Sequence, residues 1–285
     1  MSARPPVKLL VERAGREGTR AIDLAPQGAA PVVVGGEAPL LIGGPCSVES
    51  EEQAMRIARR IAAAGGRVFR AGAWKPRTSP YSFQGLGQRG LEILRVVHQE
   101  TGLLICTEAI DTDCLDAVAE VAHVIQIGSR NMDNTSLLKR VGQLERPVLL
   151  KRGFAATLDE LLLAAEYVLS GGNWRVVLCE RGIRTFGDHS RNTLDLHAVL
   201  RLRPRTDLPV LVDPSHAAGI REDVVPLARA ALAVGADGLI VEVHDRPAEA
   251  LSDGPQAISP DEFDLLQAEA AAVRRWARGN GAGPR

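Results

Sequence analysis

The sequence has no excess of positive charge. Its 34 lysines and arginines face 35 aspartates and glutamates, for a formal net charge of −1 over 285 residues. A general binder of nucleic acid or of a membrane surface carries a basic excess, so neither partner is expected and any cationic function must be local. Cysteine is scarce and unpatterned. Cys46, Cys106, Cys114 and Cys179 form no CxxC pair, which argues against a zinc ribbon or a secreted disulfide framework and fits a reducing cytoplasm. No segment offers the roughly 18 apolar residues of a membrane span. The opening stretch MSARPPVKLLVERAGREG has no apolar core of signal-peptide type, so a cytoplasmic protein is expected. Short-period repeats and low-complexity tracts are also missing.

What is present is an alternation. Apolar residues make up 45% of the chain, ample for a large core. From about residue 40, short β-branched runs alternate with stretches long enough for a helix. The runs are PLLIGGPC, RVFRAGAW, LLICTEA, HVIQIGS, PVLLKRG, RVVLCERG, LPVLVDPS and GLIVEVH. Eight such units predict a closed parallel (β/α)8 TIM barrel, an α/β fold, over residues 39–276. Residues 1–38, with Pro5-Pro6 and the run PVVVGG, read as an N-terminal arm or small hairpin, and residues 277–285 as a flexible tail. Ser50 with Gln53, Thr157 with Glu160 and Ser259 with Glu262 each fit a capping box at a helix start. Leu158, Leu161, Leu162, Ala165, Val168 and Leu169 form one apolar stripe for packing on a barrel wall.

In such a barrel the active face lies at the strands' C-terminal ends, and the polar residues fall there. Successive strands end at or near Cys46; Arg70, Lys75 and Arg77; Glu108; Gln126 and Arg130; Lys151 and Arg152; Glu180 and Arg181; Asp213 and His216; Glu242 and His244. Taken singly, a strand-end cation is by default a solvated rim charge and a lone cysteine a small buried hydrophobe, which is the reading for Cys106, Cys114 and Cys179. His98, His123 and His197 read as surface or satisfied core residues. As a group, Arg70, Lys75, Arg77, Arg130, Lys151, Arg181 and Arg184 converging on one mouth would repel one another unless anions are held, and arginine forks match phosphate and carboxylate oxygens.

The loop KPRTSPYSFQG is part of that mouth. Pro76 and Pro80 disfavour helix at Lys75 and Ser79, so Arg77, Thr78 and Ser79 can present guanidinium, hydroxyl and backbone donors to one phosphate. A second grouping, Cys46, His216, Glu242 and Asp253, comes from strands one, seven and eight and the loop after strand eight. Barrel closure makes strands eight and one neighbours. A thiolate, an imidazole and two carboxylates suit a divalent manganese, iron, cobalt or zinc.

The segments GPCSVES, RAGAWKPRTSPYSFQGLG, QIGSRN, LLKRG, LCERGIRT, LVDPSH and IVEVH with LSDG resemble the 3-deoxy-D-arabino-heptulosonate-7-phosphate (DAHP) synthases of type I, β subtype, over about residues 38–275. The resemblance implies a condensation of phosphoenolpyruvate with erythrose 4-phosphate and water to give the seven-carbon sugar acid and phosphate, the first step of the shikimate pathway. It further implies Cys46, His216, Glu242 and Asp253 as ligands of a divalent metal, manganese first, acting as Lewis acid on the aldehyde. Arg70, Lys75, Arg130, Lys151 and Arg181, with the backbone at Gly128 and Ser129, would hold phosphoenolpyruvate. Arg77 and Thr78 would grip the aldose phosphate, and His216 borders both sites. Lys75 is the implied proton donor, with Cys46 and His216 beside it.

A homotetramer and a separate regulatory partner such as chorismate mutase are implied on the same footing. No built-in aromatic feedback site is expected, because fused regulatory domains of the family have no counterpart in these residues. The related 3-deoxy-D-manno-octulosonate-8-phosphate synthases, which use arabinose 5-phosphate, carry N-R-S-S where this chain has Pro76-Arg77-Thr78-Ser79, and Cys46 separates it from their metal-independent members. Ala217-Ala218 depart from the small polar or glycine pair of the family pattern. Another class of reading is a catalytically silent barrel that binds a phosphorylated ligand.

Overall fold

The structure is a computed structural model that describes residues 9–13, 17–77 and 79–279. Among them a two-residue hairpin comes first: β1 (Ile22–Asp23) pairs antiparallel with β2 (Val33–Val34). The barrel then begins with β3 (Leu40–Gly44), α1 (Glu51–Ala63), β4 (Val68–Arg70), α2 (Gln88–Thr101), β5 (Leu104–Ala109) and α3 (Leu115–Val121). It continues through β6 (Val124–Ile127), α4 (Thr135–Val141), β7 (Val148–Lys151), α5 (Leu158–Ser170), β8 (Val176–Glu180) and α6 (Leu196–Leu202). The last elements are β9 (Val210–Val212), α7 (Pro214–Ala218), α8 (Arg221–Ala233), β10 (Gly238–Glu242) and α9 (Pro260–Gly279). Strands β3 to β10 close in sequence order, all parallel, with β10 against β3 in the register Glu242 to Gly44. Each of the eight predicted runs contains one of them. Helix α9 continues to Gly279, so residues 277–279, expected as tail, are helical.

Strand alternation sorts the side chains. Leu40, Ile42, Val68, Leu104, Cys106, Val124, Leu149, Val177, Cys179, Leu211 and Ile240 form one interior cluster, joined by Ile22, Leu24, Val32 and Val34 of the hairpin segment. The cluster includes the first or second residue of each strand from β3 to β9, so the hairpin packs on the lower part of the barrel interior. The intervening residues, among them Leu41, Phe69, Ile105, Ile125, Leu150, Leu178 and Val241, pack outward on the helices. The same period carried one pleat further up each strand puts Arg70, Glu108, Gln126, Lys151, Asp213 and Glu242 on the interior side at the top. One parity therefore serves both the apolar plug and the polar mouth.

Two of the three capping boxes are reciprocal. The Thr157 hydroxyl accepts from Glu160 N–H while the Glu160 carboxylate accepts from Thr157 N–H, and Ser259 with Glu262 does the same. At α1 only half forms. Ser50 Oγ accepts from Gln53 N–H, but the Gln53 amide turns to Ser47 O, Glu49 N–H and His244 Nε2, since tertiary partners compete for it. Gly44 is fixed by close approach: its φ is +149°, and a Cβ there would stand 2.1 Å from the Arg70 carbonyl oxygen.

Candidate active site

The top of the barrel holds a cavity of about 240 Å³, below the range of drug-sized pockets and suited to small polar ligands. Of the residues singled out in the sequence, Arg70, Lys75, Arg77, Gly128, Ser129, Arg130, Lys151, Arg181, His216 and Asp253 line it. Cys46 and Glu242 lie just behind: Lys75 Nζ stands 2.8 Å from Cys46 Sγ, and Arg70 Nη1 2.8 Å from Glu242 Oε1. Thr78 lies outside the described residues.

Several of the cations are balanced from within the barrel. Arg70 pairs with Glu242, and Lys151 with Asp213 at 2.5 Å, all four buried. Mutual repulsion among the cations is therefore smaller than their number suggests, because Asp213, directly after β9, and Glu242 of β10 pair with two of them. Arg152, expected at the rim, is the outward neighbour of Lys151 and leaves the mouth to pair with Glu180 and Asp195. Glu180 thus orients a cation, whereas Glu108 accepts from the Gln126 amide at 2.8 Å and packs so closely on Gly128 that a Cβ there would meet its Oε1 at 2.1 Å. His244 is buried outside the cavity, with Nδ1 accepting from Arg246 N–H. Arg184 does not line the cavity either; its guanidinium stands over the Phe154 ring.

Burial opposes the charge of Arg70, Lys75 and Cys46 alike. It works against the Arg70 guanidinium, but Glu242, Cys46 and Asp213 outweigh it and the pKa rises. The Lys75 ammonium is likewise opposed by burial and favoured, on balance, by Cys46, Glu108 and Glu242. Burial and the Glu242 charge push the Cys46 thiol up to about 12, against the pull of Lys75 and Arg70.

Among its described residues the loop from Lys75 to Gly85 contains no helix, and it is tied at its base. Lys75 N–H donates to Gln84 O, and the Gln84 amide donates to the carbonyls of Ser79, Pro80 and Ser82. Trp74 and Gly85 form an antiparallel bridge that closes it.

The second grouping meets in space. One ligand atom from each of Cys46, His216, Glu242 and Asp253 lies within 4.8 Å of all the others. Asp213 sets the histidine. It is the N-cap of α7, where Oδ1 accepts from His216 N–H, and its Oδ2 holds His216 Nδ1 at 2.8 Å. That leaves Nε2 facing Glu242 Oε1 at 3.3 Å and Asp253 Oδ2 at 3.9 Å. Burial lowers the His216 pKa despite Asp213 and Glu242. Burial works against the Asp253 carboxylate, yet His216 and the Cys46 hydrogen bond draw its pKa below the usual range. Asp253 is also the one non-glycine with positive φ among the described residues, a conformation found where surroundings over-determine it.

With Nδ1 donating to Asp213, a neutral ring turns its Nε2 lone pair toward two carboxylates, an acceptor among acceptors. A divalent cation resolves that conflict and can replace the proton that Cys46 Sγ directs to Asp253 Oδ2 at 3.0 Å. The donor set fits such an ion, with a carboxylate behind the histidine to orient it.

Three residues here were not foreseen. Arg191 lines the cavity and binds Asp253 Oδ1 and Gln256 Oε1. Gln256 in turn donates to Glu242 Oε2 at 2.5 Å. Phe154 lines the cavity directly after the Lys-Arg-Gly end of β7. The signal for Arg191 was the long connection between β8 and α6, since long loops in compact domains are mostly functional. Ala217 and Ala218 are buried at the foot of α7, where their carbonyls accept from Asn192 and Arg191 N–H.

Fold and mouth together define a (β/α)8-barrel enzyme with its polar site at the strand ends. Residues 19–275 match the family model described as the DAHP synthetase I family, and the chain belongs to that enzyme family. It is 54% identical over 229 residues to a phospho-2-dehydro-3-deoxyheptonate aldolase of Thermotoga maritima, spanning 80% of this chain and 68% of that protein. It is 35% identical over 262 residues to a 2-dehydro-3-deoxyphosphooctonate aldolase of Geobacter sulfurreducens, spanning 85% and 95%. The crystal structure of the Thermotoga maritima phospho-2-dehydro-3-deoxyheptonate aldolase superposes with TM-score 0.87 at 48% identity, covering 96% of this chain and 77% of that one. A truncated 3-deoxy-D-arabino-heptulosonate 7-phosphate synthase of the same organism gives 0.84 at 45% identity, covering 95% and 97%. No described helix is long and apolar enough to cross a membrane.

Proposed function

We propose that this chain condenses phosphoenolpyruvate with erythrose 4-phosphate and water to give 3-deoxy-D-arabino-heptulosonate 7-phosphate and phosphate, the entry step of the shikimate pathway. One observation carries the reading: Arg70 and Lys75 touch the donor cluster and line the cationic cavity at once, so a metal-bound group and an anion would meet there. Cys46, His216, Glu242 and Asp253 would hold the divalent ion, manganese first and iron, cobalt or zinc as alternatives. When bound, it supplies Lewis acidity toward the aldehyde of erythrose 4-phosphate.

The protein's own groups do the rest. Arg70, Lys75, Arg130, Lys151 and Arg181, with the backbone at Gly128 and Ser129, hold phosphoenolpyruvate, and Arg77 and Thr78 hold the aldose phosphate. Fixing both reactants contributes several kcal/mol by orientation. As C3 of phosphoenolpyruvate bonds to the aldehyde carbon, Lys75 Nζ gives its proton to the developing alkoxide. Water then adds at C2 and the C2–O bond to phosphate breaks. A cytoplasmic homotetramer, with regulation by a separate chorismate mutase, completes the reading and follows from family resemblance.

The identity to the heptonate aldolase and the Pro76-Arg77-Thr78-Ser79 loop favour the four-carbon acceptor. Phosphate release is expected to need both phosphoenolpyruvate and erythrose 4-phosphate, to stop in EDTA and to return with manganese. Faster release with arabinose 5-phosphate would move the chain to the octulosonate synthases. Release with neither sugar would leave a binding protein.

A further inference from the structure

Phe154 follows β7 and stands half-buried where the loops after β7 and β8 meet. Three guanidinium groups surround its ring: Arg181 at 4.7 Å, Arg184 at 4.9 Å and Arg130 at 5.5 Å from the ring centre. They come from two different loops, and like charges this close separate unless something attracts each of them. An aromatic face does so through its quadrupole. It carries no net charge, so it gathers cations without cancelling their field. A carboxylate in the same place would gather and cancel, as Glu242 does for Arg70 and Asp213 for Lys151.

Arg181 shows the difference most clearly. It is 3% exposed, makes no ion pair with a carboxylate among the described residues, and donates only to the neighbouring Gly182 carbonyl at 3.4 Å. The backbone fixes the ring's place, because Arg184 N–H donates to the Phe154 carbonyl at 2.7 Å and Gly153 N–H approaches Met132 Sδ at 3.1 Å.

We propose that Phe154 is a positioning residue of the anion pocket: its ring gathers Arg130, Arg181 and Arg184 into one cluster without cancelling their charge, and so holds Arg130 and Arg181, which line the cavity, toward a phosphate or carboxylate ligand. That the ligand is phosphoenolpyruvate rests on the functional reading above; the clustering itself does not. Since the ring acts on the arginines and not on reacting atoms, its loss lowers affinity and spares turnover.

The test uses the metal-loaded full chain and the variants Phe154→Leu and Phe154→Tyr. Inorganic phosphate is titrated by calorimetry, and steady-state kinetics are taken with each substrate varied. Phe154→Leu is expected to weaken phosphate binding about tenfold and to raise KM for phosphoenolpyruvate by a similar factor, with kcat within about twofold of wild type. Phe154→Tyr, which keeps the π face, is expected to behave as wild type. A leucine variant that binds phosphate as tightly as wild type overturns the proposal. So does a tyrosine variant that loses as much as leucine, because the ring's electrostatics would then not be the cause. If wild type turns over no substrate pair, the functional reading falls, while the phosphate titration still decides the role of Phe154.

Discussion

Asp213→Asn isolates one charge at the centre of the site. The aspartate is buried and does three things: it caps α7, pairs with Lys151 at 2.5 Å and holds His216 Nδ1 at 2.8 Å. Burial resists its ionisation, but His216 and Lys151 hold its pKa well below the ordinary carboxylate range. Asparagine caps a helix about as well as aspartate, so the Oδ1 bond to His216 N–H survives. At the other position an amide NH2 replaces a carboxylate oxygen and points at two donors, the Lys151 ammonium and the His216 Nδ1–H. A buried ion pair with one partner removed costs about 3–5 kcal/mol, and loss of the carboxylate behind a ligating histidine costs roughly 10- to 100-fold in metal affinity. Urea unfolding of the metal-free protein at pH 7 measures the first, and calorimetric titration with manganese the second. Stability is expected to fall by about 3 kcal/mol or more with an unchanged denaturant slope. A loss below about 1 kcal/mol, the worth of an exposed pair, together with unchanged manganese affinity, would refute the reasoning.

Two further outcomes follow from the same geometry. Lys75→Met removes the ammonium beside Cys46 Sγ and leaves all four donors of the cluster, so kcat is expected to fall by about 10³, within the range for a lost proton donor, while metal content by mass spectrometry stays at the wild-type level. His123 is held neutral by burial, with help from His98 and Arg146, and its pKa is pushed down to about 4. A base whose folded pKa lies below its unfolded value near 6.5 stabilises the fold above that pH and loses the contribution as pH drops toward 4. Asparagine can keep the acceptor that Ile105 N–H uses without titrating, so His123→Asn is expected to flatten the fall in unfolding midpoint between pH 6.5 and 4. An equal slope in variant and wild type would assign the acid sensitivity elsewhere.

The barrel was legible because its signal is local: each strand is a short apolar run ended by polar residues, and each is followed by a helical stripe such as that of α5. The position of the mouth was legible for the same reason. Within it, parity alone separates Lys151 from Arg152, since neighbours on a strand face opposite sides, yet a list of strand-end charges treats them alike. The meeting of Cys46 with Asp253 depends on closure between β10 and β3 and on the path of a loop, so no spacing in the sequence encodes it. Arg191, Gln256 and Phe154 are harder still, because they act from connections whose course is set by tertiary hydrogen bonds.

The largest difference concerns charge balance, and it bears on how a ligand enters. A tally of cations implied a mouth under uniform repulsion. Instead Arg70 and Lys151 have buried carboxylate partners, Glu242 of β10 and Asp213 directly after β9, while Arg77 and Arg181 make no carboxylate ion pair among the described residues. The positive charge is therefore less balanced on Arg77 and Arg181 than on Arg70 and Lys151. On the proposed reading, an anion would be drawn to these less balanced arginines. The paired cations would then keep the electrostatics of the donor cluster steady, so that binding need not rearrange the groups that would do the chemistry.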